Sequence, residues 1–146
     1  MNAPRSRSNF LWFLLLQVVL IFLWFYAAIF IVPGPWDGLR RAGLVLMMVG
    51  AGLFFTARIQ LGSSFAIHAQ ARELVTSGLY SKIRNPIYVF SAVMVAGFLI
   101  IVRKPYWFLV LAVLAVAQIL RSRQEARVLE AKFGDRYREY RKHTWF

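Results

Sequence analysis

The feature that most constrains this chain is Phe10–Val32, a run of 23 residues without a charged side chain. A helix rises about 1.5 Å per residue, so the run is long enough to cross a hydrocarbon core of about 30 Å. Three further apolar runs follow at Ala42–Ala57, Ile87–Val102 and Tyr106–Leu120. Because a helix satisfies its own backbone hydrogen bonds in lipid, the runs predict an all-α integral membrane protein with four transmembrane helices.

Short breaks separate these runs. Pro33-Gly34-Pro35 predicts the end of the first helix, because proline lacks the N–H donor and clashes with the preceding turn. Only Arg103-Lys104-Pro105 joins the third run to the fourth, which predicts a helical hairpin whose long basic side chains reach the interface. The second run contains Gly43, Gly50 and Gly52, and small residues at this density predict close helix packing in lipid.

The distribution of charge predicts an orientation in the membrane. Lys and Arg outnumber Asp and Glu by 18 to 6. With the N-terminus in the cytoplasm, 14 of the 18 basic residues lie on the cytoplasmic side, and the other four are Arg40, Arg41, Arg103 and Lys104. Since cytoplasmic loops are enriched in Lys and Arg, the count predicts a multi-pass protein of the inner or plasma membrane with both termini in the cytoplasm.

The same composition disfavours two other classes of function. The basic residues are divided among the membrane edges, so they form no continuous groove for nucleic acid. The chain has no cysteine and two histidines, which disfavours a protein-only metal centre.

The polar segment between the second and third spans contains two local signals. Thr76-Ser77-Gly78 predicts a turn, and Asn85-Pro86 predicts the start of the third span, with Asn as the cap and Pro at the first helical position. The positive end of that helix lies beside Lys82 and Arg84, where a carboxylate or phosphate would be stabilised. A simple helix cap with basic residues at the interface is the alternative.

The tail after Leu120 predicts a cytoplasmic amphipathic C-terminal helix with a break at Gly134. Its apolar residues recur at spacings of three and four, at Val128, Leu129, Phe133, Tyr137 and Tyr140. Arg121 and Glu125 are four residues apart and therefore share one face where the fourth span ends. A helix on anionic lipid and a purely structural salt bridge are the alternatives.

Two motifs together resemble a known family. LVTSGLYSKIRNPIY at Leu74–Tyr88 is followed, after the hairpin, by R-x-x-x-E-x-x-x-L-x-x-x-F-G-x-x-Y-x-x-Y at Arg121–Tyr140. This order and spacing resemble the isoprenylcysteine carboxyl methyltransferase family, part of a wider group of integral membrane methyltransferases that includes the phospholipid N-methyltransferases. The resemblance covers about Leu61–Tyr140, and the first two spans match only in hydrophobicity.

The length of 146 residues predicts a single domain over residues 1–146, which by this resemblance is an integral membrane methyltransferase. Residues 10–57 form its first two spans, and residues 58–146 form a cofactor loop, the hairpin and the C-terminal helix. The implied cofactor is S-adenosylmethionine, with a lipophilic substrate entering sideways from the bilayer. The implied catalytic residues are Arg121, which faces the methyl acceptor, and Glu125. The implied cofactor contacts are Gln70, Arg72, Glu73, Leu74, Val75, Tyr80, Asn85, Pro86, Ile87, Tyr88 and Glu125.

Three departures from the family pattern bear on the acceptor. Asn85 stands where the family usually has His, Ala126 stands where it has a second Glu, and the loop between Gln70 and Leu74 is short. The chain therefore offers few groups that could remove a proton from the acceptor. A carboxylate acceptor is already ionised near pH 7, which favours carboxyl O-methylation of an isoprenoid-like or prenylcysteine-like acid.

Other functions are compatible with the same residues. A phospholipid N-methyltransferase uses the same kind of donor, and the related membrane sterol reductases use NADPH with a similar fold. A non-enzymatic membrane protein whose basic tail binds membrane lipid is the third alternative. The expected partners are a lipophilic small molecule or lipid and the bilayer itself, without nucleic acid. Both a monomer and a dimer fit the sequence.

Overall fold

A computed structural model describes residues 3–62 and 74–146, with the side chains of residues 3–10 left out of the description. The residues that the structure describes form five α-helices. They are α1 (Ala3–Tyr26, continued by the π-helical turn Ala27–Ile31), α2 (Gly38–Leu61), α3 (Pro86–Val102), α4 (Phe108–Phe133) and α5 (Asp135–Lys142). Short 3₁₀ turns lie at Gly78–Ser81 and Pro105–Trp107.

Among the described residues, three helical stretches are long and apolar enough to cross a membrane, namely Leu11–Ile31, Gly38–Leu61 and Pro105–Phe133. The predicted all-α class is confirmed, since each apolar run coincides with a helix. The helix of the third run, α3, has 17 residues. It is about 26 Å long, which is shorter than a hydrocarbon core of about 30 Å. Length and composition support three spans, and the predicted count of four depends on α3.

The contact between α2 and α3 forms the centre of the bundle. A Cβ atom added to Gly43 would lie 2.8 Å from the carbonyl oxygen of Gly97, and one added to Gly50 would lie 2.8 Å from the backbone nitrogen of Met94. Only glycine permits the two backbones to approach this closely. The predicted close packing of the second span is therefore confirmed within the chain, while Gly52 faces away from this contact.

Arg40 closes the end of the first helix. Its guanidinium donates to the carbonyl oxygens of Ala28 at 2.7 Å, Val32 at 2.9 Å and Gly34 at 2.8 Å. The proline-rich break leaves these carbonyls without N–H donors in the next helical turn, so their hydrogen bonds must come from outside the helix. The charge count predicts Arg40 as an outer-edge cation, whereas the structure buries its side chain, with 3% exposed.

The bundle has two ends of different composition. At one end, which we call the Arg103 end, Arg103 forms an ion pair with Asp37, the residue that caps α2 through its side chain. The opposite end, the Asn85 end, gathers the start of α3, the later part of α4 and the tail. The side of the membrane that each end faces stays a prediction from the charge count.

The tail is not one separate helix. α4 continues without interruption through Leu120 to Phe133, because residues 121–132 are strong helix formers without glycine or proline. The helix ends at Gly134, which has a φ of 52°, and α5 follows directly. The predicted break at Gly134 is therefore confirmed, whereas the first half of the expected tail helix is an extension of α4.

Candidate functional site

Within the described residues, the segment that leads into α3 contains a turn at residues 77–81, which lies beside the end of α2. Gly78 has a left-handed φ of 61°, and the backbone nitrogen of Tyr80 donates to the carbonyl oxygen of Ser77 at 3.2 Å. Leu79, which follows Gly78, donates through its backbone nitrogen to Oε1 of Gln60 at 2.8 Å. The turn predicted at residues 76–78 is confirmed, and Gln60 attaches it to α2.

Tyr80 fixes this turn to the bundle. Its side chain is 6% exposed, and burial raises the pKa of its hydroxyl, while the nearby Arg58 cation acts in the opposite direction. Arg58 is itself buried and donates through Nε to Oε1 of Gln17 at 3.0 Å, with its guanidinium 5.0 Å from the ring centre of Phe13. The Tyr80 ring of this turn therefore lies near Arg58, a buried arginine of α2 that also bonds to α1.

Asn85 joins three parts of the chain. α3 begins at Pro86 as predicted, but the prediction that the Asn85 side chain caps this helix is wrong. Its Nδ2 donates to Oγ of Ser122 at 2.7 Å and to the backbone carbonyl oxygen of Phe146 at 3.1 Å. The amide therefore faces α4 and the tail, where it holds the start of the hairpin against both.

The two motifs meet at Glu125. Its Oε1 accepts a hydrogen bond from the hydroxyl of Tyr88 at 2.5 Å and from Nε of Arg121 at 3.1 Å. The ion pair predicted from the spacing of Arg121 and Glu125 is confirmed, while the bond from Tyr88 is a contact that the sequence analysis missed. The side chains of Arg121 and Glu125 are 52% and 30% exposed, so both charges are accessible from outside the bundle.

Further polar residues extend this cluster along the hairpin. Nε2 of Gln118 donates to Oγ of Ser91 at 2.9 Å, and Ser91 in turn donates to the carbonyl oxygen of Tyr88 at 2.9 Å. Sequence reasoning overlooked Ser91, Gln118 and Ser122. The spacing of three from Asn85 through Tyr88 to Ser91 would have indicated one polar face on α3.

The other predicted cofactor contacts differ in what the structure says of them. Leu74, Val75 and Ile87 are half-buried beside the turn and the first turn of α3. Gln70, Arg72 and Glu73 lie outside the described residues. Within the described part, Glu125 is placed to receive a positively charged group and Arg121 a negatively charged one, because each is charged and partly exposed.

Comparison with family models gives a match over most of these helices. The family model described as phospholipid methyltransferase matches residues 39–136, which are 98 of the 146 residues. The match contains α2 except for its first residue, all of α3 and α4, and the complete Tyr88–Glu125–Arg121 cluster, and it stops before the last ten residues. Comparison with curated proteins gave no match. Because the family model covers about two thirds of the chain, this protein belongs to the phospholipid methyltransferase family.

Proposed function

We propose that this protein transfers a methyl group from S-adenosylmethionine to a lipophilic acceptor at the cytoplasmic face of the membrane. The observation that carries the proposal is the Tyr88–Glu125–Arg121 cluster, which combines an accessible anion and an accessible cation at the Asn85 end of the hairpin. The cluster lies wholly inside the range that matches the family.

The residues of the cluster suit this donor. S-Adenosylmethionine supplies an electrophilic methyl group on a sulfonium and also carries an ammonium and a carboxylate. Glu125 pairs with the ammonium, and its carboxylate is already oriented by Tyr88 and Arg121 before anything binds. The charge and partial exposure of Glu125 therefore fit the cofactor that the resemblance implies.

Arg121 orients the acceptor. It donates to Glu125 through Nε at 3.1 Å, and its guanidinium can hold a carboxylate in a fork while it stays attached to Glu125. Methyl transfer needs in-line alignment and exclusion of water more than it needs an acid or base. The part of α4 that precedes the cluster carries exposed apolar side chains, Leu120 and Val116 among them, which would contact the acyl chains of the bilayer.

This chemistry favours carboxyl O-methylation of an isoprenoid-like or prenylcysteine-like acid. Such a carboxylate is ionised near neutral pH and needs no base, which agrees with Asn85 where the family usually has His. The alternative is N-methylation of an aminophospholipid, which the description of the matching family favours. In that reaction Glu125 would accept the proton that the acceptor ammonium must lose.

The membrane topology is part of the proposal. We place α3 as a fourth span beside the three helices that are long enough on their own. Its packing against α2 shields it from lipid along one face. The Asn85 end and both termini then lie in the cytoplasm, where S-adenosylmethionine is available, as the 14 to 4 division of basic residues predicts.

A methyl-transfer assay tests the proposal. The purified protein is incubated with total membrane lipid and radiolabelled S-adenosylmethionine, and the labelled lipid is then treated with base. We expect release of volatile labelled methanol, which indicates a methyl ester, whereas a label that resists base indicates N-methylation. A folded protein that transfers no label and binds no S-adenosylmethionine at millimolar concentration would contradict the proposed function.

A further inference from the structure

The last three residues lie along the loop that enters α3. The backbone nitrogen of Trp145 donates to the carbonyl oxygen of Lys82 at 3.0 Å, and the backbone nitrogen of Arg84 donates back to the carbonyl oxygen of Trp145 at 3.1 Å. The backbone nitrogen of Asn85 then donates to the carbonyl oxygen of Phe146 at 3.1 Å. These bonds form a short parallel pairing, and we call residues 144–146 the tail clip.

α5 holds the tail clip in place. The hydroxyl of Tyr140 donates to the carbonyl oxygen of Tyr80 at 2.6 Å, and Tyr137 beside it is 2% exposed. The Tyr140 hydroxyl is protonated at neutral pH and can donate, and burial raises its pKa further, to about 12. The tail therefore contacts the loop at both ends, at Tyr80 through a side chain and at residues 82–85 through the backbone.

The contact is made by the main chain of Trp145. The side chain of Trp145 is 58% exposed, whereas its N–H and carbonyl groups both bond to the loop. Unpaired N–H groups at Arg84 and Asn85 would leave the entry to α3 without a fixed conformation. The tail clip thus supplies the acceptors for these two backbone N–H groups.

We propose that the tail clip positions the Lys82–Asn85 loop for cofactor binding, with Trp145 as a positioning residue that acts through its backbone N–H. This inference rests on the proposed function. The loop connects buried Tyr80 with Asn85, and Asn85 in turn bonds to Ser122 one helical turn from Glu125. A shift of the loop would therefore move the start of α3 relative to the carboxylate that holds the cofactor. Residues 137–146 lie beyond the family match, so the tail clip is a feature of this chain outside the shared range.

Two substitutions at one position test this inference. Trp145→Pro removes the N–H that bonds to Lys82, and Trp145→Ala keeps it while removing the exposed ring. Calorimetry with S-adenosylmethionine is expected to show a Kd about tenfold higher for Trp145→Pro than for the wild type. This fold-change corresponds to the free energy of one hydrogen bond. For Trp145→Ala we expect a Kd within about twofold of the wild type, and for both variants an acceptor KM close to that of the wild type.

The outcomes separate the two proposals. Wild-type protein that binds the cofactor while Trp145→Pro binds it equally well, or more tightly, overturns the positioning role and leaves the proposed function intact. Wild-type protein that binds no cofactor overturns both. If Trp145→Pro does not fold, Tyr140→Phe removes only the hydroxyl that bonds to Tyr80, and Tyr106→Phe at the Arg103 end is its control. A rise of about threefold in cofactor Kd for Tyr140→Phe alone supports the inference, and equal Kd values for the two variants overturn it.

Discussion

Two arginines at opposite ends of the bundle, Arg40 and Arg121, are bonded in different ways. At the Arg103 end, Arg40 is 3% exposed and is bonded to backbone carbonyls of the first helix and the following turn. At the Asn85 end, Glu125 accepts hydrogen bonds from Arg121 and from Tyr88, while Arg121 and Glu125 both remain partly exposed. A cation whose hydrogen bonds go to the backbone holds the fold, whereas an accessible ion pair can exchange part of its bonding for a ligand.

Arg40→Ala is expected to cause the largest effect, because it leaves several carbonyl groups at the end of the first helix without their donor. We expect the free energy of unfolding to fall by about 3 kcal/mol. Denaturant unfolding in detergent measures this, with the exposed neighbour Arg41→Ala as the control, for which about 0.5 kcal/mol or less is expected. An equal decrease in the free energy of unfolding for the two variants would mean that the hydrogen bonds of Arg40 do not stabilise the fold.

Glu125→Gln should affect binding at the other end rather than folding. The variant keeps the shape of the side chain and removes the charge that pairs with the cofactor ammonium, so we expect the Kd for S-adenosylmethionine to rise about 100-fold. Glu139→Gln, which changes an exposed glutamate of α5 that pairs with Lys142, is the matched control and should bind as the wild type does. Calorimetry on both variants is the measurement. An unchanged Kd for Glu125→Gln would mean that the ammonium group of S-adenosylmethionine does not bind to Glu125.

Arg121→Lys distinguishes the acceptor contact from the cofactor contact. Lysine keeps the charge but cannot form the planar fork that holds a carboxylate, so we expect the KM for a carboxylate acceptor to rise about tenfold. The cofactor Kd should change by about twofold or less. Steady-state kinetics measure the acceptor KM of Arg121→Lys, with Arg123→Lys as the control. Arg123 is an exposed arginine two residues away and therefore on another face of the helix. A larger change in cofactor Kd than in acceptor KM would reverse the roles given to Arg121 and Glu125.

The smallest effect is expected at the Asp37–Arg103 ion pair. The backbone N–H of Arg40 and the side chain of Arg103 hold the pKa of Asp37 below its ordinary value of 3.8. A carboxyl with a lowered folded pKa adds stability above its unfolded pKa, and that stability is lost as the pH falls through the folded pKa. Thermal unfolding between pH 5 and pH 2 is therefore expected to show a smaller decrease in Tm for Asp37→Asn than for the wild type. Asp135→Asn at the opposite end is the control, and parallel curves for Asp37→Asn and wild type would contradict the assignment.

Local sequence signals predicted much of the fold. The apolar runs indicated the helices, Thr76-Ser77-Gly78 indicated the turn, and Pro86 and Gly134 marked a helix start and a helix end. Each of these features depends on residues within about four positions of one another, where helix periodicity and the backbone preferences of proline and glycine decide the conformation. The ion pair of Arg121 and Glu125 belongs to the same class.

The site itself required both local and distant information. The resemblance pointed to Tyr88 and Glu125, but their hydrogen bond joins residues 37 positions apart and depends on how α3 and α4 pack. The partners of Asn85 were not predictable for the same reason, since Ser122 lies 37 positions and Phe146 61 positions away. Gln70, Arg72 and Glu73, on the segment outside the described residues, stay predictions from the resemblance.

The sequence alone determined the helical class and the location of the apolar runs, because hydrophobicity and local backbone chemistry act on neighbouring residues. It also carried both motifs that mark the family. Only the tertiary structure decided which arginines are buried and which are accessible, since the residue type alone does not distinguish Arg40 from Arg121. Their roles differ because one guanidinium is enclosed by the end of α1 and the other lies beside Glu125 at the edge of the hairpin.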